Sequence, residues 1–343
     1  MARAAKNRIT LAEVAELAGV SRSAVSRTFT PGASVSAETR ARVENAAREL
    51  GYRPNILARS LTTGQTGLVG LVANNFKNPA YLEIFDTFTR LFQAKGLRTL
   101  LINLTDEVDP QRSLDLLLQY QVDAVVVATS TLPVEFASAF AAAGLPVVHA
   151  FGRTHEGDYD VVSIDNQAAG ALAAKRLLAS GYSHLGFLGG PQTATSTRDR
   201  LAGFVGVVNA VPNASVQVHF ASGYTFEAGN QAMHDLMEAG LAQGYLCGDD
   251  MIAIGAISAL QSAGVGVPRD VGILGFNDIQ MAGWENIRLS TIRQPIERVV
   301  ELTVKRLLAQ LNAPESFQPS VTLLPCQVIE RDTLPLLNLE IGG

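Results

Sequence analysis

The chain has 343 residues, enough for two or three domains, and its 47% hydrophobic and 17% charged content excludes a disordered chain and fits a well-buried globular protein. No run reaches the roughly 18 uninterrupted apolar residues of a membrane span, and the basic N-terminus "MARAAKNRIT" is followed by no apolar core, so neither a membrane protein nor secretion is expected. The net charge of −5 hides an asymmetry: residues 1–66 hold 10 Lys/Arg against 5 Asp/Glu, a net of +5, while the remainder holds 17 against 27, a net of −10. A basic head on an acidic body points to a polyanion partner for the head alone, although basic N-terminal arms are also common solvated tails.

Thr10 followed by Glu13 makes a capping box at a helix start. Leu11, Val14, Ala15 and Ala18 then recur at helical spacing. Gly19 suits the left-handed turn that ends such a helix. Ser21 caps a second helix whose inward residues are Val20 and Val25. A third, capped by Ser36, runs from about Ala37 to Leu50 with Val43, Ala46, Ala47 and Leu50 on one stripe, and Gly51 stops it. Helix, tight turn and capped helix form a helix-turn-helix unit. A small bundle that merely packs against the body would need the same stripe. Against that reading, Arg22, Ser23, Ser26 and Arg27 fall outside it, where arginines and hydroxyls suit phosphates and base edges. In "YRPNILARSLTTG", Pro54 breaks the chain, and Asn55, Ala58 and Leu61 share one face of a short helix that is marginal alone in water.

"TLAEVAELAGVSRSAVSR" and "VSAETRARVENAARELGYRPNILARSL" closely resemble the DNA-binding head and hinge of the lactose-repressor (LacI) family of bacterial transcription regulators, nearly unbroken from Ile9 to Leu61. The resemblance implies that Arg22 and Ser23 read bases and that Arg27 also reaches the major groove. Thr10, Ser21, Ser26 and Asn55 would hold phosphates or the backbone. Ala58 and Leu61 would enter the minor groove, the leucine as a wedge that kinks the duplex.

From Gly67 the chain alternates apolar strands with amphipathic helices. "GLVGLVAN", "LRTLLINL", "VDAVVVAT" and "LPVVHAF" form one strand series. A second follows "VVSID": helix 166–180, strand "HLGFLGG", helix 195–210, strand "VQVHF", helix 225–239, strand "GYLCGD", helix 250–263 and strand "DVGILGF". This pattern predicts parallel sheets covered on both faces, in two similar lobes. The resemblance extends over this body and implies a periplasmic-binding-protein-like architecture, with three crossings between lobes near residues 163, 292 and 322. The expected fold is therefore α/β: a three-helix head, residues 1–53; a hinge helix and linker, 54–66; a two-lobe effector-binding and dimerisation body with parallel doubly wound sheets, 67–332; and a C-terminal tail, 333–343.

Ligands of doubly wound sheets sit beyond the carboxyl ends of the strands. Strand ends put Asn75, Phe76, Arg200, Asp249, Asn277 and Asp278 there, and these match the family's effector positions. Phe151 stands where many members carry an acidic residue. Asp249-Asp250 replaces the usual Asn-Asp, and Asn277 stands where an aspartate is often found. Carboxylate, amide and aromatic groups fit the hydroxyls of a sugar or polyol, while Arg200 also suits a sugar phosphate or carboxylate metabolite, and a purine is a further alternative effector. Trp284 is either a stacking face for the ligand or a core residue.

No HExxH, GxSxG or GxxxxGK[ST] pattern occurs, and Asp249 and Asp250 are adjacent, so their side chains diverge. Cys247 and Cys326 have no metal-ligand spacing and read as small buried hydrophobes of a reduced cytoplasm. No catalytic residue, cofactor or metal is expected. The expected protein is a cytoplasmic, nucleoid-associated homodimeric repressor that reads a near-palindromic double-stranded DNA operator under control of a small-molecule effector. The body alone would also suit a solute-binding protein of a transporter, but such a protein has no use for a helix-turn-helix head.

Overall fold

The computed structural model describes residues 9–30, 32–53, 64–104, 109–129, 135–152 and 157–335. The chain divides into two compact units, Met1–Thr66 and Gly67–Gly343.

The first unit holds α1 (Leu11–Ala18), α2 (Arg22–Thr28) and α3 (Ala37–Leu50). Thr10 and Glu13 close the capping box, Thr10 N donating to Glu13 Oε2 at 2.6 Å. Gly19 ends α1 at φ +63°, a conformation that costs glycine little and other residues more. Val14, Val25 and Val43 are fully buried at the centre, one from each helix, with Ala15, Ala18, Ala46 and Ala47 around them. Small alanines let the three helices approach closely enough to exclude water in so short a segment. Arg40 Nη1 donates to Thr28 O at 2.9 Å and ties α3 to the end of α2.

The second unit contains two sheets of six strands. The first comprises β1 (Leu68–Ala73), β2 (Arg98–Asn103), β3 (Ala124–Ala128), β4 (Val147–Ala150), β5 (Asp160–Ile164) and β11 (Val321–Leu324). The second comprises β6 (His184–Gly189), β7 (Ser215–Phe220), β8 (Gly244–Cys247), β9 (Gly272–Asn277), β10 (Thr291–Arg293) and β12 (Gln327–Ile329). Their spatial orders correspond: β2-β1-β3-β4-β5-β11 and β7-β6-β8-β9-β10-β12. Only β12 pairs antiparallel among the described pairings. The inner strands β3, β4, β5, β8 and β9 are buried along their whole length, as in "AVVVA" of β3, because helices cover both faces. The edge strands β2 and β7 keep exposed residues along their length.

The connecting helices are α4 (Pro79–Ala94), α5 (Pro110–Gln119), α6 (Glu135–Ala142), α7 (Asn166–Ala179), α8 (Thr195–Val208), α9 (Phe226–Ala239), α10 (Asp250–Ser262) and α11 (Ile296–Asn312). Two helix pairs meet backbone to backbone through glycine. A Cβ on Gly170 of α7 would stand 2.0 Å from Arg200 O of α8, and one on Gly203 of α8 would stand 1.8 Å from Gln167 O. Gly229 of α9 and Gly255 of α10 repeat this arrangement.

The chain crosses between lobes three times. After β5 it enters α7, which packs in the second lobe. After β10 it enters α11, which lies on β3, β4 and β5 of the first, with Gln310 Nε2 donating to Val147 O at 3.1 Å and to Asp160 Oδ2 at 2.9 Å. The third crossing lies between β11 and β12. Thr333 and Leu334, counted from the sequence as tail, are packed into the second lobe, where Thr333 Oγ1 donates to Ile273 O at 2.7 Å and Leu334 is buried. Among the described residues, no helix is long and apolar enough to cross a membrane.

Candidate functional site

On the first unit, Arg22, Ser23, Ser26 and Arg27 are all exposed on α2, opposite its buried Val25 and Thr28. Ser21 Oγ caps the helix, accepting from Ala24 N at 3.2 Å, and lies 2.9 Å from Ser23 Oγ. Thr10 is also exposed, its hydroxyl donating to Glu13. The bond from Thr10 N, and after it this one, lowers the Glu13 carboxyl from its ordinary value. α2 thus presents two guanidiniums and two hydroxyls without a backbone duty for the arginines. Asn55, Ala58 and Leu61 lie outside the described residues.

In the second unit a cavity of about 60 Å³ opens at the carboxyl ends of β1, β4, β5, β8, β9 and β10. Strand order reverses there in each sheet, between β1 and β3 and between β6 and β8, so the loops leaving neighbouring strands part and leave a crevice. The two crevices face one another across the cleft. Three lining residues, Asn75 (φ +57°), Phe151 (φ +60°) and Asn277 (φ +116°), hold left-handed backbone conformations. Each such conformation costs on the order of 1–3 kcal/mol, and such strain gathers at ligand sites.

Arg200, in the second turn of α8, is 7% exposed. The glycine contact between α7 and α8 brings Asn166 to it, Arg200 Nε donating to Asn166 Oδ1 at 2.8 Å and Nη1 to Gly248 O at 2.8 Å. Its Cζ stands 3.4 Å from the centroid of the Phe276 ring. Burial lowers its pKa from the ordinary arginine value, and the nearby Asp249 acts in the opposite sense.

Asp249 caps α10, Oδ1 accepting from Met251 N at 2.7 Å. Its Oδ2 accepts from Asn277 Nδ2 at 2.6 Å and from Asn78 Nδ2 at 2.8 Å. Burial pushes this carboxyl up to about 6, against the pull of those donors and of Arg200. Its neighbour Asp250 faces away, Oδ1 accepting from Thr291 Oγ1 at 2.6 Å and Oδ2 from Ile279 N at 2.8 Å. Burial and then Asp249 hold Asp250 well above the carboxylate range. The two adjacent carboxyls therefore diverge. One belongs to the cavity and the other to the core.

Of the residues expected from strand ends, the structure brings Asn75, Phe151, Arg200, Asp249 and Asn277 to the cavity. Phe76 is not among its lining; its ring packs on Phe85 with centroids 4.8 Å apart. Asp278 is also turned away. Its two oxygens meet Arg293 at 2.6 Å and Arg331 at 2.7 Å. Trp284 neither stacks at the cavity nor enters the core, being 49% exposed. The cavity also gathers residues that sequence reasoning passed over: Asn78, Tyr81, Asn166, Ser196, Tyr224 and Gln294. The signal for Asn78 is the Asn-Pro pair at the first helix after β1, since a helix start beyond a strand end lies at the crevice. Gln294 lies on the second crossing and donates to Asn277 Oδ1. Cys247 is fully buried, while Cys326 is only partly so.

One cation and one carboxylate face a cavity otherwise lined by amides, hydroxyls, aliphatic groups and the rings of Tyr81, Phe151 and Tyr224. Such a set can hold a small polar molecule by forked donors, acceptors and apolar ring faces. Among the described residues no group of three or more His, Cys, Asp and Glu side chains could hold a metal ion.

Residues 10–55 match the family described as bacterial regulatory proteins, lacI family, and residues 174–334 match the periplasmic binding protein-like domain. The chain is 31% identical over 320 residues to the ribose operon repressor of Escherichia coli (strain K12), covering 92% of this chain and 97% of that one. It is 30% identical over 330 residues to the HTH-type transcriptional repressor PurR of Serratia proteamaculans (strain 568), covering 94% and 96%. The crystal structure of the lac repressor dimer bound to operator and the anti-inducer ONPF superposes with a TM-score of 0.85 at 25% identity, covering 95% and 99%. The protein belongs to the LacI family of bacterial regulatory proteins and is a DNA-binding transcription regulator with an effector-binding body, not an enzyme.

Proposed function

We propose that this regulator is a repressor controlled by a neutral polyhydroxylated effector, a sugar or polyol, taken between the lobes by Asn75, Phe151, Arg200, Asp249 and Asn277, with Asn78, Tyr81 and Gln294 beside them. One observation carries the reading: the buried Arg200 guanidinium is held by neutral acceptors and a ring face, while Asp249 supplies the single carboxylate of the cavity lining. A sugar brings hydroxyls that both accept from the arginine and donate to the carboxylate. A phosphate or carboxylate ligand would place a second anion beside a buried one, which is costly in a water-poor site. The relative named for the ribose operon points the same way, while a purine stays the competing outcome.

The division of labour follows the expected boundaries, with a reading head over 1–53, a hinge over 54–66 and the body beyond. Arg22, Ser23 and Arg27 read the major groove, with Thr10, Ser21 and Ser26 on the backbone and Asn55, Ala58 and Leu61 in the hinge. The chain acts as a homodimer in the cytoplasm, where two heads read a near-palindromic operator. Exposed Leu101 on the edge strand β2, with Leu116, Leu118 and Tyr120 at the end of α5, supports a partner on the first lobe. So does the dimeric, operator-bound lac repressor.

A thermal-shift panel of sugars, polyols, sugar phosphates, carboxylates and purines tests the effector class. A ligand at 100 times its dissociation constant adds about 2.7 kcal/mol, enough to read in a melting curve. A neutral sugar or polyol is expected to raise the melting temperature of the wild type and not of Arg200→Ala. A hit confined to purines, phosphates or carboxylates would replace the sugar reading.

A further inference from the structure

We propose that Asn78 and Asp249 form a latch between the lobes: the capping side chains of two helices, one from each lobe, bond to each other and hold the cleft shut through protein atoms alone. Asn78 uses both ends of its amide. Its Oδ1 accepts from Ala80 N at 3.0 Å and caps α4 of the first lobe, while its Nδ2 donates to Asp249 Oδ2 at 2.8 Å. Asp249 does the same from the other side, capping α10 with Oδ1 and accepting from Asn78 with Oδ2. Each side chain is fixed by its own helix start, so meeting the other loses little further rotamer freedom. Both are buried, Asn78 at 4% and Asp249 at 2% exposure, where a bond to a carboxylate is strong and an unmade one is costly.

A second observation is apolar and independent of the bond. Ala80, in the first turn of α4, is 5% exposed and belongs to the same buried cluster as Leu188, Ile252 and Ile279 of the second lobe. The first turn of α4 therefore docks on the second lobe by one methyl and one amide. The latch also bears on access. The cavity it closes measures about 60 Å³, well below the roughly 150 Å³ of an engineered cavity that admits benzene. A ring-sized ligand must part the lobes there, and a hydroxyl that takes Asp249 Oδ2 must displace or share it with Asn78. Asn78 thus sets how far the cleft is shut before binding. This holds whichever ligand the cavity takes, so the latch and the sugar reading stand or fall separately.

Hydrogen–deuterium exchange on the full chain, with no ligand added, tests the latch. Asn78→Ser and Asn78→Asp both keep a good capping residue on α4, but serine cannot reach Asp249 and aspartate meets it as a second carboxylate. Hydrogen bonds to charged groups are worth about a tenfold shift in equilibrium or more, so both variants should exchange at least about tenfold faster. The rise should appear over residues 75–84 and also over residues 249–256 of the opposite lobe, while α3 of the head stays at the wild-type rate. Wild-type exchange over 249–256 in Asn78→Ser, or a rise confined to 75–84, would overturn the latch. Should Asn78→Asp fail to fold, Asn78→Ser decides alone.

Discussion

Arg200 stands with its guanidinium carbon 3.4 Å from the centre of the Phe276 ring while two of its nitrogens are held by Asn166 and Gly248. A lysine cannot reproduce this, because it lacks the plane that lies over the ring and the fork that reaches both acceptors. Arg200→Lys should therefore keep the fold yet abolish the ligand-induced rise in melting temperature. A full-sized shift in that variant would show that the guanidinium is not a ligand contact.

Asp249 gives the body a pH signature. Its folded carboxyl is raised from the ordinary 3.8 to about 6, mainly by burial. A raised carboxyl contributes stability that is present below its unfolded value and lost as pH rises through the folded one. Asp249→Asn removes this loss, so its melting temperature relative to wild type should climb between about pH 4 and pH 7. A difference that stays flat across that window would contradict the burial of an ionising carboxylate at this position.

The same group should make binding pH-dependent in the opposite sense. A hydroxyl donates better to a carboxylate than to a carboxylic acid, so effector affinity should fall as pH drops through about 6, the value to which Asp249 is raised. Calorimetric titration of the panel's hit would read it. The dependence should vanish in Asp249→Asn.

Two glycines of one neighbourhood should respond oppositely to alanine. A Cβ at Gly170 meets Arg200 O at 2.0 Å, so Gly170→Ala must push α7 from α8, at about 1–3 kcal/mol of stability. It should also weaken ligand binding, since the displaced backbone carries Arg200. A Cβ at Gly206, on the same α8, meets nothing within 4 Å. Gly206→Ala should stabilise by roughly 0.5–1 kcal/mol through helix propensity. Denaturant unfolding of both variants checks the pair, and equal effects would refute the close packing.

On the head, Arg22 is exposed at the start of α2. Arg22→Ala should relax base preference at one or two positions of the selected DNA, at about 1–3 kcal/mol per lost bidentate contact. An unchanged consensus would assign Arg22 to the phosphate backbone.

Much of this was legible in the sequence because local chemistry dictates it. Thr10, Glu13 and Gly19 mark their turns by what each side chain or missing side chain can do. The apolar runs of β1, β3 and β9 fall where burial on both faces requires them. The placement of α11 was not legible from its stripe, since an amphipathic helix does not say which lobe it covers. The cavity residues divide the same way. Strand ends give Asn75, Asp249 and Asn277, because doubly wound sheets bind ligands there. Asp278 stands at a strand end too, but its partners Arg293 and Arg331 come from distant segments, and only the fold shows that they take both its oxygens. Asn78 reads locally as a helix cap, and its second bond depends on a residue 171 positions away.

Whether the head is a DNA reader governed by the cleft is decided by selecting sites from random duplexes with the full chain. Fluorescence anisotropy on the selected site then follows at fixed salt, with and without the panel's hit. The expected result is a near-palindromic consensus bound about a thousandfold or more tighter than scrambled DNA. The panel's hit should change that affinity by at least about fivefold. No enriched sequence, or an affinity indifferent to every compound that binds the body, would contradict it.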